Sequence, residues 1–183
     1  MPHIKELLVD QLQGLLDAET QLTGALPKMA QAAKNPKLKE AFEKHLAQTE
    51  NHANRLRRAL DTLGDGANAK PCKAMAGLIE EGQQTIDEGA RRNPVAADLA
   101  LIAAAQRVEH YEIAAYGTAK ALAEVLGETD HASTLEETLD EEKETDEKLT
   151  TISEQVNEEA NTEEDEEEEE EAVAAKGGTK SRK

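Results

Sequence analysis

The chain has 183 residues and a formal net charge of −18, from 39 acidic and 21 basic residues. This charge repels the phosphates of nucleic acids and anionic membranes, so neither is expected as a main partner. The length suits one ordinary domain with an appendage. Three aromatic residues are present, Phe42, Tyr111 and Tyr116. The core therefore depends on aliphatic side chains and alanine, which favours packed helices over a sheet sandwich.

The single cysteine, Cys72, excludes an intrachain disulfide and a metal site built from cysteines. We expect its thiol to be inert, with a redox or dimer-bridging role as the alternative. The sequence has no apolar run of about 18 residues, as a membrane-spanning helix would need. Its first residues also lack the apolar core of a signal peptide. These features predict a cytoplasmic protein.

Apolar residues spaced three, four or seven positions apart predict the first two helices. One series begins at Ile4 and predicts a helix to about residue 33, with a kink at Pro27. The next predicts a helix over 36–63, which Gly64-Asp65-Gly66 ends. The inward face predicted for this second helix consists of Leu38, Phe42, Leu46, Ala53, Leu56, Leu60 and Leu63.

The rest of the chain is predicted to contain one short helix and two long ones. The short amphipathic helix, over about 74–88, lies in the connection that begins at Gly64. The long helices follow over about 95–126 and 131–156. The connection is long enough to return along the axis of a bundle. The sequence therefore predicts an all-α fold, a four-helix bundle with one long crossover that carries a short extra helix.

Residues 1–157 form the predicted helical bundle, and residues 158–183 form a predicted acidic tail. The tail contains eleven acidic and four basic residues and almost no large apolar side chains. Since like charges repel and little apolar surface can be buried, we expect this segment to be disordered. Such a composition suits a solubilising role, or the binding of a basic partner or of cations.

Six acidic residues fall on the predicted inward faces of the four long helices. Each takes a position where the helical spacing calls for an apolar side chain. Burying an unpaired carboxylate is costly, but carboxylates that converge on cations can be accommodated. The six residues are Glu19, Glu50, Glu109, Glu112, Glu142 and Asp146.

Carboxylates that four helices supply at matching depth are a suitable ligand set for a dinuclear metal centre. Their hard oxygen atoms favour Mg, Mn or Fe over Cu or Zn. Two iron ions, bridged by Glu109 or Glu112, could be oxidised there by O2 or peroxide. A water-filled polar seam without metal is the alternative.

Several short segments of the predicted bundle carry a resemblance to known proteins. They are DAETQL and ALPKMA (17–22 and 25–30), CKAM and GLIEEG (72–75 and 77–82), VEHYEIAAYG (108–117), and TLDEEK and DEKL (138–143 and 146–149). Together they resemble the YciE/YciF family (DUF892) of ferritin-like proteins. The likeness spans about residues 1–157 and leaves out the tail. It implies a ferritin-like bundle with two Fe ions, or Mn, a ferroxidase-like activity, a role in bacterial stress responses, and a homodimer.

The chain departs from the general ligand pattern of ferritin-like proteins, in which two helices each carry Glu-x-x-His. The residues three positions after Glu50 and Glu142 are alanine and threonine, and Glu109 is followed there by a second glutamate. The predicted ligand set therefore contains oxygen alone, which favours Mn or non-catalytic iron binding. The histidines lie outside the predicted inward faces, and His52 and His110 are the two to reconsider.

Oxidation of Fe(II) in a bacterial stress response is the function that the sequence favours, with metal ions and O2 or peroxide as its ligands. A non-catalytic helical stress protein that dimerises or binds a partner is the alternative. Manganese-dependent disproportionation of peroxide is a third, weaker option. The sequence contains no nucleophile–base pair, phosphate-binding loop, dinucleotide motif or nucleic-acid motif.

Overall fold

The computed structural model describes residues 2–64 and 66–177. Within these ranges it contains helices and no strand, which confirms the all-α prediction. None of the helices described is long and apolar enough to cross a membrane. The five helices are α1 (Pro2–Ala32), α2 (Pro36–Leu63), α3 (Lys73–Gly89), α4 (Pro94–Leu126) and α5 (Thr129–Gly177).

Asn-Pro pairs begin α2 and α4, and left-handed glycines end both helices. Asn35 accepts hydrogen bonds from the backbone N–H groups of the first turn of α2, and Asn93 does the same for α4. Proline in the first turn lacks an N–H group that would have no partner there. Gly64 and Gly127 follow the two helices with φ values of 86° and 73°, which glycine adopts without steric cost. These signals explain why the predicted boundaries of the two helices agree with the structure.

The helices form the predicted bundle of two hairpins. Helix α1 packs against α2, and α4 packs against α5. Between the hairpins, the crossover contains α3, which lies against α4 and α1. Cys72 caps the N-terminus of α3: its sulfur accepts a hydrogen bond from the Met75 N–H group and lies 2.9 Å from the Tyr111 hydroxyl. A four-helix bundle with one long crossover and a short extra helix is thus confirmed.

Two apolar clusters fill the bundle, and a polar layer separates them along its axis. One cluster includes Leu22, Phe42 and Leu149, and the other includes Leu12, Leu56 and Leu135. On each long helix the two clusters therefore occupy different segments of the sequence. The residues between those segments are buried but charged or polar. The interior of the bundle is therefore polar in the middle and apolar on either side.

Helix α5 is longer than the sequence analysis predicted. It continues past Val156, the predicted end, to Gly177. Between these two residues the chain has neither proline nor glycine, and it is rich in glutamate and alanine, which are strong helix formers. The backbone is therefore helical up to residue 177, and the disordered state expected of residues 158–183 stays a prediction. Residues 178–183 lie outside the described part of the chain, and a domain boundary at residue 157 stays a prediction.

Candidate metal centre

The polar layer contains carboxylates, imidazoles and a hydroxyl group that all four long helices supply. Each of these side chains belongs to a residue that is at most 2% exposed. Helix α2 contributes three of them at steps of four and three residues, so they share one helix face. The layer consists of Glu19 from α1, His45, Thr49 and His52 from α2, Glu109 and Glu112 from α4, and Glu142 from α5.

The possible metal ligands of this layer fall into two adjoining groups. His45, Glu109, Glu112 and Glu142 form the larger group, and Glu19, His52 and Glu142 form the smaller one. Within each group, one ligand atom from every residue lies within 4.8 Å of the others. Because Glu142 belongs to both groups, its carboxylate lies where it could bridge two ions.

Close contacts join the imidazoles to the carboxylates without hydrogen-bond geometry. His45 Nε2 lies 3.4 Å from Glu109 Oε1, and His52 Nδ1 lies 3.0 Å from Glu142 Oε1. Neither nitrogen has a hydrogen-bond partner among the residues that the structure describes. Both oxygens of Glu112 and both of Glu142 are also buried without one. Buried polar atoms that lack partners are rare in proteins, and here they converge on one place.

The second nitrogen of each imidazole has a partner outside the cluster. His52 Nε2 donates to Glu141 at 2.7 Å, since a carboxylate can only accept. The Thr145 hydroxyl donates to the Glu141 carbonyl and so accepts from His45 Nδ1, at 3.3 Å. These partners direct His45 Nε2 and His52 Nδ1 into the cluster, as is usual for histidines that bind metal.

Further hydrogen bonds position the cluster from α2 and α4. Arg55 donates to Glu141 and to Glu137, and so connects the His52 partner to the surface between α2 and α5. Burial opposes ionisation of Glu141, but hydrogen bonds from Arg55 and His52 lower its pKa below the usual value. On the other side, the Tyr116 hydroxyl donates to Glu19.

Burial and mutual repulsion raise the pKa values of the carboxylates. Burial, followed by the charge of Glu142, raises the pKa of Glu109 well above its usual value. Burial also raises the pKa of Glu112, with further contributions from the charges of Glu19 and Glu142. For Glu19, burial raises the pKa to about 7, although the close contact with His52 opposes the increase. Protons therefore occupy part of this cluster when no cation does.

The two imidazoles are affected in opposite directions. Burial lowers the pKa of His45, so this ring is neutral and its Nε2 lone pair is free to bind a cation. Burial also disfavours the charged form of His52, but contacts with Glu142 and Glu19 outweigh it and raise the pKa to about 10. Without metal, His52 thus serves as the cation of the smaller group.

The sequence matches a known family over most of its length. The model of that family, described as a domain of unknown function (DUF892), matches residues 3–161. The chain belongs to the DUF892 family. The resemblance seen in the sequence is thereby confirmed. One relative, the protein YciF of Escherichia coli strain K12, is 46% identical over 154 residues, which cover 84% of this chain and 92% of the relative.

Solved structures of other proteins share the fold. The crystal structure of the E. coli stress protein YciF has a TM-score of 0.81 at 42% identity, covering 86% of this chain and 99% of that one. YcfI from Rhodopseudomonas palustris has a TM-score of 0.77 at 40% identity, covering 81% and 93%. A protein from Xanthomonas campestris pv. campestris has a TM-score of 0.66 at 25% identity, covering 89% and 99%. The ferritin-like bundle predicted for this DUF892 chain is consistent with these structures.

Four of the six predicted acidic residues meet in this DUF892 chain as expected, and Glu50 does not join them. Glu19, Glu109, Glu112 and Glu142 are buried together, but the predicted inward position of Glu50 is wrong. Glu50 is exposed because the buried face of α2 passes through Thr49, and the next residue along a helix points about 100° away.

Asp146 also lies outside the cluster. Its side chain is 20% exposed, and its carboxylate is 3.3 Å from His110 Nε2. It also accepts a hydrogen bond from the Gln106 side chain at 3.1 Å. One turn after Glu142, the face of α5 that Asp146 occupies has rotated towards the α4 surface. The prediction that Asp146 points inward beside Glu142 is therefore wrong.

His45 and His52 belong to the cluster but lie outside the inward face predicted for α2. The inward face of α2 runs through Leu38, Phe42, His45, Thr49, His52 and Leu56, with alternating steps of four and three. The predicted face included Leu46 and Ala53, each one residue after a histidine; Ala53 is buried as predicted, whereas Leu46 is half-buried. The sequence signal was therefore present, but leucine was preferred to histidine at the ambiguous positions. With the two histidines, the cluster combines nitrogen and oxygen ligands, and the expectation of an oxygen-only set is wrong.

Proposed function

We propose that this protein binds two metal ions, with iron as the preferred metal, and that it oxidises Fe(II). His45, Glu109 and Glu112 would bind one ion, Glu19 and His52 the other, and Glu142 both. The convergence of buried, unpartnered carboxylate and imidazole atoms carries this proposal. Mixed imidazole and carboxylate ligands suit Fe and Mn. A bound pair of such ions supplies redox chemistry that these side chains lack.

The residues of the site have separate roles in this proposal. The carboxylates would offset the charge of the cations, and the neutral imidazoles would supply nitrogen lone pairs. The cations in turn reduce the cost of keeping several acids in a dry interior. Glu141 and Thr145 hold the imidazoles in the orientation in which the free nitrogen faces the cluster. Protons leave His52 and the raised carboxylates as cations bind, and Arg55 connects Glu141 to the surface.

The electrons of the proposed reaction balance with either oxidant. Two Fe(II) ions lose one electron each to give two Fe(III) ions. O2 takes up the two electrons together with two protons and becomes hydrogen peroxide. Peroxide, as the oxidant, would take up two electrons and two protons and become two water molecules.

Metal binding is tested by a pair of alanine substitutions. Glu142→Ala removes the residue common to both groups, whereas Glu50→Ala removes an exposed acid of α2. We expect the wild type and Glu50→Ala to bind Fe(II) or Mn(II) and Glu142→Ala to lose at least one ion, as measured by elemental analysis. At a metal concentration of 100 times Kd, binding adds about 2.7 kcal/mol of stability. For a chain of this size, that raises Tm by roughly 5–10 °C.

Activity is tested by Fe(II) oxidation under single-turnover conditions. The wild type and Glu50→Ala should form Fe(III) at equal rates, and Glu142→Ala should be slowed to the rate of iron in buffer. An unchanged Tm with stoichiometric metal would instead favour a non-catalytic stress protein. The same conclusion would follow from equal behaviour of the Glu142 and Glu50 variants.

A role in a bacterial stress response is proposed on the likeness to the E. coli stress protein YciF. The homodimer that the sequence resemblance implies also stays a proposal. Light scattering of the purified protein at micromolar concentration measures its mass directly. A mass of one chain would contradict the dimer without affecting the metal centre, whose candidate ligands all come from one chain.

A further inference from the structure

A small apolar pocket lies between α1, α3 and α4 and reaches the candidate metal centre. Its volume is about 50 Å³, and Glu109 is the residue of the centre that lines it. Nearly all the other lining side chains are aliphatic. They include Leu22, Leu26, Ile79, Ile86, Ala105 and Val108.

The crossover helix α3 forms the outer wall of this pocket. It covers the face of the bundle between α1 and α4, and the buried Gly82 leaves space on its inner side. Lys28 on α1 donates a hydrogen bond of 3.5 Å to Gln83 on α3, which ties the two helices together beside the pocket. The same two residues are the polar part of its lining apart from Glu109.

The lining decides which small molecules can enter. A water molecule needs roughly 10–15 Å³ of such space, so this pocket is large enough for a diatomic gas. Apolar cavities stay dry because a polar molecule inside them loses its hydrogen bonds to water. Hydrogen peroxide donates and accepts hydrogen bonds, so it would lose its hydrogen bonds to water on entering the pocket. Dioxygen makes no strong hydrogen bonds with water and would lose none.

We propose that the pocket between α1, α3 and α4 is the access route of dioxygen to the metal centre, and that dioxygen is the oxidant of Fe(II). This inference rests on the proposed function and adds the identity and path of the oxidant. In the reaction, one O2 accepts two electrons from two Fe(II) ions, takes two protons and leaves as hydrogen peroxide. Helix α3 would then form the outer wall of the dioxygen route as well as part of the connection between the two hairpins.

Two glycines of α3 offer a matched pair of variants. A Cβ atom added at Gly82 or at Gly77 would have no atom outside its own neighbourhood within 4 Å. Gly82 is buried and lines the pocket, whereas Gly77 is exposed and does not. Gly82→Leu therefore fills the pocket, and Gly77→Leu makes the same change elsewhere on the same helix. Leucine has a higher helix propensity than glycine, so neither variant should lose α3.

Xenon probes the pocket without metal or turnover. Crystals of the metal-free protein are pressurised with xenon, and the gas is located by its anomalous scattering. We expect one xenon site between α1, α3 and α4 in the wild type and in Gly77→Leu, and none in Gly82→Leu. A wild-type protein without xenon in this pocket would overturn the proposal.

Fe(II) oxidation with each oxidant tests the route. Gly82→Leu should bind as much metal as the wild type and oxidise Fe(II) severalfold more slowly with dioxygen. Its rate with peroxide under anaerobic conditions should be unchanged, and Gly77→Leu should match the wild type in both assays. A normal dioxygen rate in Gly82→Leu that has lost the xenon site would overturn the route. An equal loss with both oxidants would also overturn it, because the centre itself would then be damaged.

Failure of this inference and failure of the proposed function give different results. If the wild type oxidises Fe(II) with peroxide alone, the proposed function stands and dioxygen is the wrong oxidant. If it binds xenon but oxidises Fe(II) with neither oxidant, the proposed function fails, and the inference about the oxidant fails with it.

Discussion

Glu112 is the residue at which the conflict between stability and function is sharpest. Both of its carboxylate oxygens are buried without a hydrogen-bond partner, among three other acidic side chains. A side chain in this position weakens the metal-free fold, because water would solvate it better. Its presence is explained by a cation that it would bind. Removal of its charge should therefore affect the metal-free and the metal-bound protein in opposite directions.

We expect Glu112→Gln to stabilise the protein without metal and to weaken metal binding. Folding raises the pKa of Glu112, so the metal-free chain must take up a proton there when it folds. Glutamine removes this cost, and the free energy of unfolding should rise by about 1.4 kcal/mol or more, the equivalent of one raised pKa unit. Urea unfolding of metal-free protein measures this gain, and titration with Mn(II) measures the loss of affinity. Glu50→Gln, an exposed acid on α2, should change neither quantity. A less stable metal-free Glu112→Gln would show that the carboxylate has a structural partner.

His45 and His52 show why the buried face of α2 could not be chosen from the sequence alone. Glu19 and Glu142 were recognised as inward because leucine lies three or four residues away on the same helix. On α2, the buried face and the face next to it both contain apolar side chains, since Leu46 and Ala53 directly follow His45 and His52. Spacing alone therefore does not decide between the two faces. Packing against α1 and α5 decides, and that information is not local in the sequence.

At the scale of the elements, the boundaries that were predicted well have strong local chemistry. Asn-Pro and left-handed glycine determine the ends of α2 and the beginning and end of α4. The end of α5 was not predicted, because the acidic segment lacks both apolar periodicity and a helix-breaking residue. Helix propensity and charge repulsion oppose each other there, and composition does not show which prevails.

A buried carboxylate connects the two hairpins at one end of the bundle. Asp98, in the first turns of α4, is 3% exposed. Its oxygens accept hydrogen bonds from the backbone N–H groups of Lys34 and Asn35, at 2.8 Å and 2.6 Å. These groups belong to the turn between α1 and α2. Asp98 thus fixes the turn that precedes the helix with the two histidines.

We expect Asp98→Ala to lower the free energy of unfolding by about 3 kcal/mol, because two charge-assisted hydrogen bonds to partly buried backbone groups are lost. Thermal unfolding of the metal-free protein measures this change. Asp130→Ala removes an exposed acid from the first turn of α5 and should have a much smaller effect. Metal stoichiometry at low temperature should be normal in both variants. Equal stability of the two would contradict a structural role for Asp98.

Considered as a whole, the molecule has a stable apolar core in two parts and a charged layer between them. The apolar clusters follow from leucine and alanine spacing, so the bundle could be predicted from the sequence. The charged layer depends on the relative rotation and depth of four helices, so four of its seven members were found and three were not. Its protonation depends on its six ionisable members together, which makes pH dependence a property of the whole assembly of helices.

We expect the metal-free protein to become less stable as the pH rises from 6.5 to 8.5. The pKa of His52 is about 10 in the folded protein against an ordinary value of 6.5. Between these values the folded chain holds a proton that the unfolded chain has lost, so the free energy of unfolding falls by up to about 1.4 kcal/mol per pH unit. Glu109 and Glu112 act in the same direction, because their pKa values are also raised by folding.

The stabilisation by metal should change with pH in the opposite direction. Cations bind deprotonated ligands, so the increase of Tm on addition of Mn(II) should become larger between pH 6.5 and 8.5 as protons leave the site. Differential scanning calorimetry with and without Mn(II) at several pH values measures both trends. Glu50→Gln should follow the wild type. A metal-free Tm that stays constant or rises over this range would mean that the buried carboxylates and His52 are not protonated together, and that the charged layer is neutralised in another way.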